Sequence, residues 1–238
     1  MKYMGSKNRH AKKLLPIILK DQKPGQWYVE PFVGGANMID KVDGNRIGAD
    51  IHPHLIVLLD AVANGWIPPE NVTEEEYRQA QQIRTIDAQT GFIGFGASYS
   101  GKWFGGYARG NNTNGTSRNY AAESCRNLLE QAPKIKSVAF ICSPYDQLSI
   151  PQNSIIYCDP PYEGTTKYAT GGFDHAAFWH WCRVKVGQGH QVFVSEYNAP
   201  SDLVCVWEKK VNNTLTKDTG SKQGVEKLFV HESQLKTK

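Results

Sequence analysis

Apolar residues recur in the first stretch of the chain at Ala11, Leu14, Leu15, Ile18 and Leu19. This is the spacing of one helical face and predicts a helix over residues 6–19. Pro16 falls inside it, lacks an N–H and crowds the preceding turn, so a kink or early stop is expected. Residues 27–30 then read as a short strand, 31–35 as a tight loop and 36–42 as a helix. Residues 46–49 form a second apolar run ending at Asp50, and a long apolar stretch over 53–63 predicts another helix. Strand, loop, helix and strand in this order are the unit of a parallel, doubly wound α/β sheet.

Thr73 and Glu76 make a capping-box signature, so residues 74–86 are expected to be helical. The pattern is then lost. Over residues 91–118 eight glycines alternate with Tyr99, Trp103, Phe104 and Tyr107, followed by Asn111, Asn112 and Asn114. Such a stretch reads as too flexible for a regular element. Beyond it, a helix over 121–131 and a strand over 138–142 restore the α/β rhythm. Strands are predicted at 155–158 and 191–195, with a helix at 174–186 between them. Two last strands, at 204–211 and 227–231, are joined by a polar loop over 217–224 without a helix, so they should be antiparallel.

Composition narrows the class. At 238 residues, with 40% hydrophobic and 21% charged residues, the chain can bury one α/β domain plus an insertion. No run approaches the ~18 apolar residues needed to span a bilayer, and the first ten residues lack a signal-peptide core. A cytoplasmic protein without membrane contact is the expectation, and a monomer is compatible with it. Five cysteines without a C-x-x-C spacing, three of them in apolar strand-like runs, predict buried thiols in a reducing compartment. His52-Pro53-His54 is the one close histidine pair; a surface loop is expected there and no metal. The net charge of +4 is modest, but its distribution is informative. Lys2, Lys7, Arg9, Lys12 and Lys13 crowd the start, and no acid occurs between Asp87 and Glu123, a span holding Lys102, Arg109 and Arg118. Locally cationic segments of this kind suit a polyanion.

Three motifs carry the candidate chemistry. The apolar run Ile155-Ile156-Tyr157-Cys158 delivers Asp159-Pro160-Pro161-Tyr162. Two successive prolines cannot continue a ladder, so the strand must end in a stiff turn. Open α/β sheets bind ligands at that carboxyl edge. A carboxylate on Asp159 and the Pro160 carbonyl can each accept from an exocyclic amine, and the Tyr162 ring can stack on a planar base. Second, Glu30-Pro31-Phe32-Val33-Gly34-Gly35-Ala36-Asn37-Met38 joins a strand to a predicted helix, where glycines let a ligand approach the backbone. Third, Asp50 ends the next strand, at the place where an acid commonly accepts from ribose hydroxyls; it could equally cap the helix near Pro53.

Together these motifs resemble the Dam-type (D12 class) DNA adenine-N6 methyltransferases, in the order with the cofactor motifs first. The resemblance runs from Tyr3-Met4-Gly5-Ser6-Lys7 through the glycine loop and Ala49-Asp50-Ile51 to the Asp-Pro-Pro-Tyr turn. Phe193-Val194-Ser195-Glu196-Tyr197-Asn198 and the final strands look like the family's later elements, and a phage or prophage member is suggested. It implies a Rossmann-like methyltransferase sheet, mostly parallel with an antiparallel C-terminal pair. Residues 1–65 and 120–238 would form the catalytic domain, and 66–119 an inserted, DNA-contacting segment. S-adenosylmethionine would be the methyl donor and double-stranded DNA the partner. Cofactor contacts would fall on Tyr3, Lys7, Pro31, Phe32, Gly34, Asp50, Ile51 and Asp159, with Tyr3 and Lys7 closing over it and Asp50 on the ribose. Asp159, Pro160 and Tyr162 would act on the flipped adenine, with Lys102, Trp103, Arg109 and Arg118 on the DNA.

Three features depart from the family pattern. Tyr3 stands where tryptophan is frequent, Ala36 where the loop's second glycine falls, and the segment between the two halves is short, which favours a short or relaxed target context. The alternatives are N4-cytosine methylation, for which Ser is more usual than Asp at the first turn position, and a catalytically silent DNA-binding regulator. Restriction partner, phage self-protection and gene regulation are all compatible with the sequence.

Overall fold

A computed structural model describes residues 1–163, 172–212 and 223–235. The chain forms two compact units, one of Met1–Ala11 with Val33–Leu148 and one of Lys12–Phe32 with Ser149–Lys238. Among the described residues, seven strands have the hydrogen-bonded order β3-β2-β1-β4-β5-β7-β6, with ranges given below. Among the described residues, no helix is long and apolar enough to cross a membrane.

In the first unit, β2 (Arg46–Asp50) pairs in parallel with β3 (Val138–Cys142), Asp50 opposite Cys142. Helix α2 (Pro53–Ala63) begins with proline at a position where no N–H is needed, and buries Leu55, Ile56, Leu58, Leu59 and Val62. The capping box at Thr73 is formed in both directions and starts α3 (Glu74–Ile83), which is shorter than expected. Arg84 takes a left-handed conformation (φ 52°) and stops it.

The expected irregular stretch after residue 90 is instead largely ordered. Asp87 caps α4 (Ala88–Gly96), through an N–H bond from Thr90 of 2.6 Å, and seven of the helix's nine residues are buried. Its glycines serve close packing. A Cβ on Gly91 would lie 2.4 Å from the His54 carbonyl oxygen, and one on Gly94 would lie 2.2 Å from the Trp103 ring. Residues 98–107 and 111–117 then fold back through isolated antiparallel bridges, Ser98 with Tyr107 and Asn111 with Ser117. Helix α5 (Tyr120–Ile135), capped by Asn119, completes the unit and runs four residues further than expected, past Pro133.

In the second unit, β1 (Tyr28–Glu30), β4 (Ile155–Cys158) and β5 (Gln191–Glu196) are parallel. β7 (Gln223–His231) runs antiparallel to both β5 and β6 (Leu203–Asn212), as the missing connecting helix predicted. Part of the expected polar loop lies outside the described residues, and Gln223 and Gly224 belong to β7. Helix α6 (His175–Gly187) is capped by the Asp174 side chain. The neighbours β1 and β4 are where the order reverses, since the chain leaves β1 toward one edge and β4 toward the other. All of Tyr28–Glu30 and Ile155–Cys158 are buried. That accounts for the unbroken apolar run of Ile155–Cys158.

The first helix, α1 (Asn8–Ile18), tolerates Pro16 only near its end and stops two residues later. Two further expectations fail, the second in part. The helix predicted over 36–42 is reduced to a single 3-10 turn at Ile39–Lys41, because Ala36 adopts φ 55° and cannot start an α-helix. Of the cysteines in strands, Cys158 is buried but Cys142 and Cys205 are exposed, because the side chains of the strands that carry the latter two are not covered on both faces.

Candidate active site

In the first unit, the loop after β1 is tied to the end of β2. Val33 N donates to the Ala49 carbonyl at 2.8 Å. Gly34 N donates to the Asp50 carboxylate at 3.2 Å, and His52 N donates to its other oxygen at 3.0 Å. Burial pushes the Asp50 carboxyl up, while the backbone N–H groups of His52, Gly34 and Ile51 oppose that shift. Asp50 is thus not the cap of α2, whose N-cap residue is His52 without a side-chain bond. It is a half-buried acceptor that still reaches solvent, and the next residue, Ile51, is 56% exposed.

The loop turns sharply, with Ala36 N bonded to the Val33 carbonyl at 2.9 Å and with Gly34 (φ 47°) and Ala36 (φ 55°) both left-handed. Tyr3 lies against it. A Cβ on Gly34 would come 2.9 Å from the Tyr3 ring, and one on Gly35 would come 2.7 Å from Tyr3 Cβ. Tyr3 in turn meets Phe95, ring centres 5.7 Å apart. Buried Gln131 on α5 holds the loop from beneath, its amide donating to the Gly35 and Ala36 carbonyls at 3.1 and 2.9 Å. The sequence reading missed Gln131, although a glutamine on the apolar face of an amphipathic helix was visible. Lys7 is buried near the start of α1.

The expected surface loop at His52 and His54 is not found. The His52 ring packs 4.5 Å from Trp103 and 5.1 Å from Phe95. Desolvation, with the charge of His54 second, lowers its pKa to about 4. Trp103 itself sits in an aromatic cluster with His54, Phe95 and Phe104, at 4.6–4.8 Å. Lys102 is exposed, Arg109 pairs with Glu74, and Arg118 pairs with Glu123 through two bonds, one of 2.7 Å. The acid-free span thus draws its counter-charges from its flanks.

In the second unit, Pro31 is buried after β1, and the half-buried Phe32 ring packs edge-on to Phe173 and Phe178 at 5.8 and 5.7 Å. Beneath the carboxyl ends of the strands lies a polar layer: Tyr28 OH donates to the Glu30 carboxylate at 2.9 Å, and Tyr157 OH meets Ser195 Oγ at 2.8 Å. β4 ends at Cys158, so Asp159, Pro160 and Tyr162 follow at the sheet's carboxyl edge, Asp159 and Tyr162 half-buried and Pro160 buried. Burial, followed by the charge of Asp159, holds the Tyr162 phenol well above its usual range. The Tyr162 ring is met edge-on by Tyr197 at 4.7 Å. Glu196, 1% exposed, accepts from Glu163 N at 2.6 Å and from Tyr197 N. Nothing in the sequence assigned Glu196 a role, although an acid closing an apolar strand is an anomaly worth noticing.

The model of the D12 class N6 adenine-specific DNA methyltransferase family matches residues 3–93 and 103–232. The chain belongs to that family. DNA adenine methylases of two Vibrio cholerae serotype O1 strains are each 29% identical to it over 170 residues, 61% of this chain and 61% of theirs. The Type II methyltransferase M.FokI of Planomicrobium okeanokoites is 24% identical over 210 residues, 78% of this chain and 32% of its own. The chain therefore spans less than two thirds of the length of the curated relatives it matches.

Proposed function

We propose that this D12-class protein transfers a methyl group from S-adenosylmethionine to the N6 amino group of adenine in DNA, by direct attack of a flipped-out base. The observation that carries the reading is the intact Asp159-Pro160-Pro161-Tyr162 turn, directly after the buried strand β4 at the point of strand-order reversal.

The residues present suit a nucleoside-type methyl donor. Asp50 offers a half-buried carboxylate acceptor for ribose hydroxyls, with exposed Ile51 beside it. Tyr3, Lys7, Pro31, Phe32 and Gly34 are the further proposed contacts. When bound, S-adenosylmethionine would supply a methyl group on a sulfonium that is already a good leaving group. The chain's own task is then positioning. Asp159 and the Pro160 carbonyl accept hydrogen bonds from the two amino N–H groups and aim the nitrogen lone pair, and the carboxylate supports the positive charge that develops on nitrogen until one proton is lost. Tyr162 stacks on the extruded adenine, which offsets part of the few kcal/mol needed to unstack it.

Residues 66–119 are proposed to contact DNA through exposed Lys102 and through Arg109 and Arg118, which would exchange their Glu74 and Glu123 partners for phosphates. Trp103 would act chiefly by shaping this segment. A short or relaxed target context goes with a segment this short. Incubation with methyl-labelled S-adenosylmethionine and duplex DNA, followed by nucleoside analysis, tests the reading. Label in N6-methyladenine is expected. Label in N4-methylcytosine, or no transfer, would replace it with one of the alternatives.

A further inference from the structure

We propose that Glu196 is the positioning residue that sets the Asp-Pro-Pro-Tyr turn, by gripping the backbone N–H of Glu163 just beyond Tyr162. The inference rests on the methyltransferase reading for its consequence, but the grip itself is a matter of chain geometry.

The β4–β5 ladder ends with Cys158 opposite Val194. If pairing continued, Pro160 would fall opposite Glu196, but Pro160 and Pro161 have no N–H to offer. The turn that carries the catalytic groups therefore lacks two backbone donors. Glu196 ties the chain just beyond the prolines with its side chain instead: one oxygen accepts the Glu163 N–H at 2.6 Å, and the other accepts the N–H of Tyr197. Both oxygens are used by backbone donors, the condition under which a buried carboxylate is tolerated. The next residue continues the brace, since the Tyr197 ring stands edge-on to Tyr162 at 4.7 Å and 83°. The end of β5 thus holds Tyr162 from the backbone on one side and from the ring on the other.

Glu196→Gln keeps the shape but leaves only one acceptor oxygen for two donors. In the full chain it should still fold cooperatively, with a melting transition lowered only modestly by the donor left without a partner, and keep S-adenosylmethionine affinity within about twofold. It should lower the single-turnover methylation rate at saturating substrates by about tenfold or more, the scale of a hydrogen bond to a charged group. Amide hydrogen exchange at Glu163 should quicken, and Glu196→Ala should lose more rate than Glu196→Gln. An unchanged single-turnover rate in Glu196→Gln overturns the proposal, as does a variant that no longer folds, which would make Glu196 a stability residue. Should the wild-type protein transfer no methyl group to adenine, the functional reading fails, yet exchange at Glu163 still decides the grip: unchanged protection in Glu196→Gln overturns it.

Discussion

The amide of Gly34 and the carboxylate of Asp50 meet at 3.2 Å, so one acid both shapes the glycine loop and offers an acceptor at its mouth. Removing it has two separable effects. Asp50→Ala should weaken S-adenosylmethionine binding by about 1.5–3 kcal/mol, typical of a hydrogen bond to a charged acceptor. It should also lower stability, because the N–H groups of Gly34 and His52 lose their partner. Calorimetry with unchanged affinity would confine Asp50 to the structural half of this role.

Ala36 occupies left-handed space at φ 55°, where a Cβ costs about 1–2 kcal/mol. Ala36→Gly relieves that strain but loses a buried methyl group and frees the unfolded chain, so its stability should stay within about 1 kcal/mol of wild type. Ala36→Val, β-branched at positive φ, should be less stable by about 2 kcal/mol or more. Urea denaturation of the three proteins checks the contrast, and a valine variant as stable as the parent would exclude the assigned backbone.

How much was legible beforehand depended on how local the cause was. The strand over Ile155–Cys158, its abrupt end at two prolines, and α2 beginning at Pro53 follow from residues adjacent in sequence. They came out at or within a residue of their observed bounds. The helix α4 did not, because Gly91, Gly94 and Gly96 look like loop residues. They are glycines because a Cβ there would meet the His54 carbonyl, the Trp103 ring or the Phe92 ring, and two of these lie outside α4. At the site, Asp159, Asp50 and the glycine loop were readable as motifs. Gln131 and Glu196 were not, because each acts on a backbone group that only folding brings near.

Gly91→Ala tests the packed character of that segment. Alanine is the better helix former by about 1 kcal/mol, so an exposed or loosely held α4 would gain stability. With the His54 carbonyl oxygen 2.4 Å from the new Cβ, the backbone must move, and a net loss of about 1–3 kcal/mol is expected. Thermal denaturation that shows a gain would contradict this packing.

The His52 ring predicts an acid sensitivity. Burial among Phe95 and Trp103, with His54 nearby, lowers its pKa from 6.5 to about 4. Between those values the unfolded chain takes up a proton that the folded chain refuses, so stability falls as pH drops from 6.5 toward 4 and levels off below. In His52→Phe this part of the pH dependence should disappear. Melting temperatures measured across that window, with the same slope in both proteins, would assign the sensitivity to other groups.

The most direct test of the account is the single-turnover rate of methyl transfer to adenine in duplex DNA by the wild-type protein and by Asp159→Ala, with S-adenosylmethionine affinity measured in parallel. Asp159 is assigned to the amino group as it becomes positively charged, a kind of role whose loss costs about 10²–10³ in rate or more. The account predicts at least that loss, with the fold and much of the cofactor binding retained. A variant that methylates adenine at near the wild-type rate would contradict it.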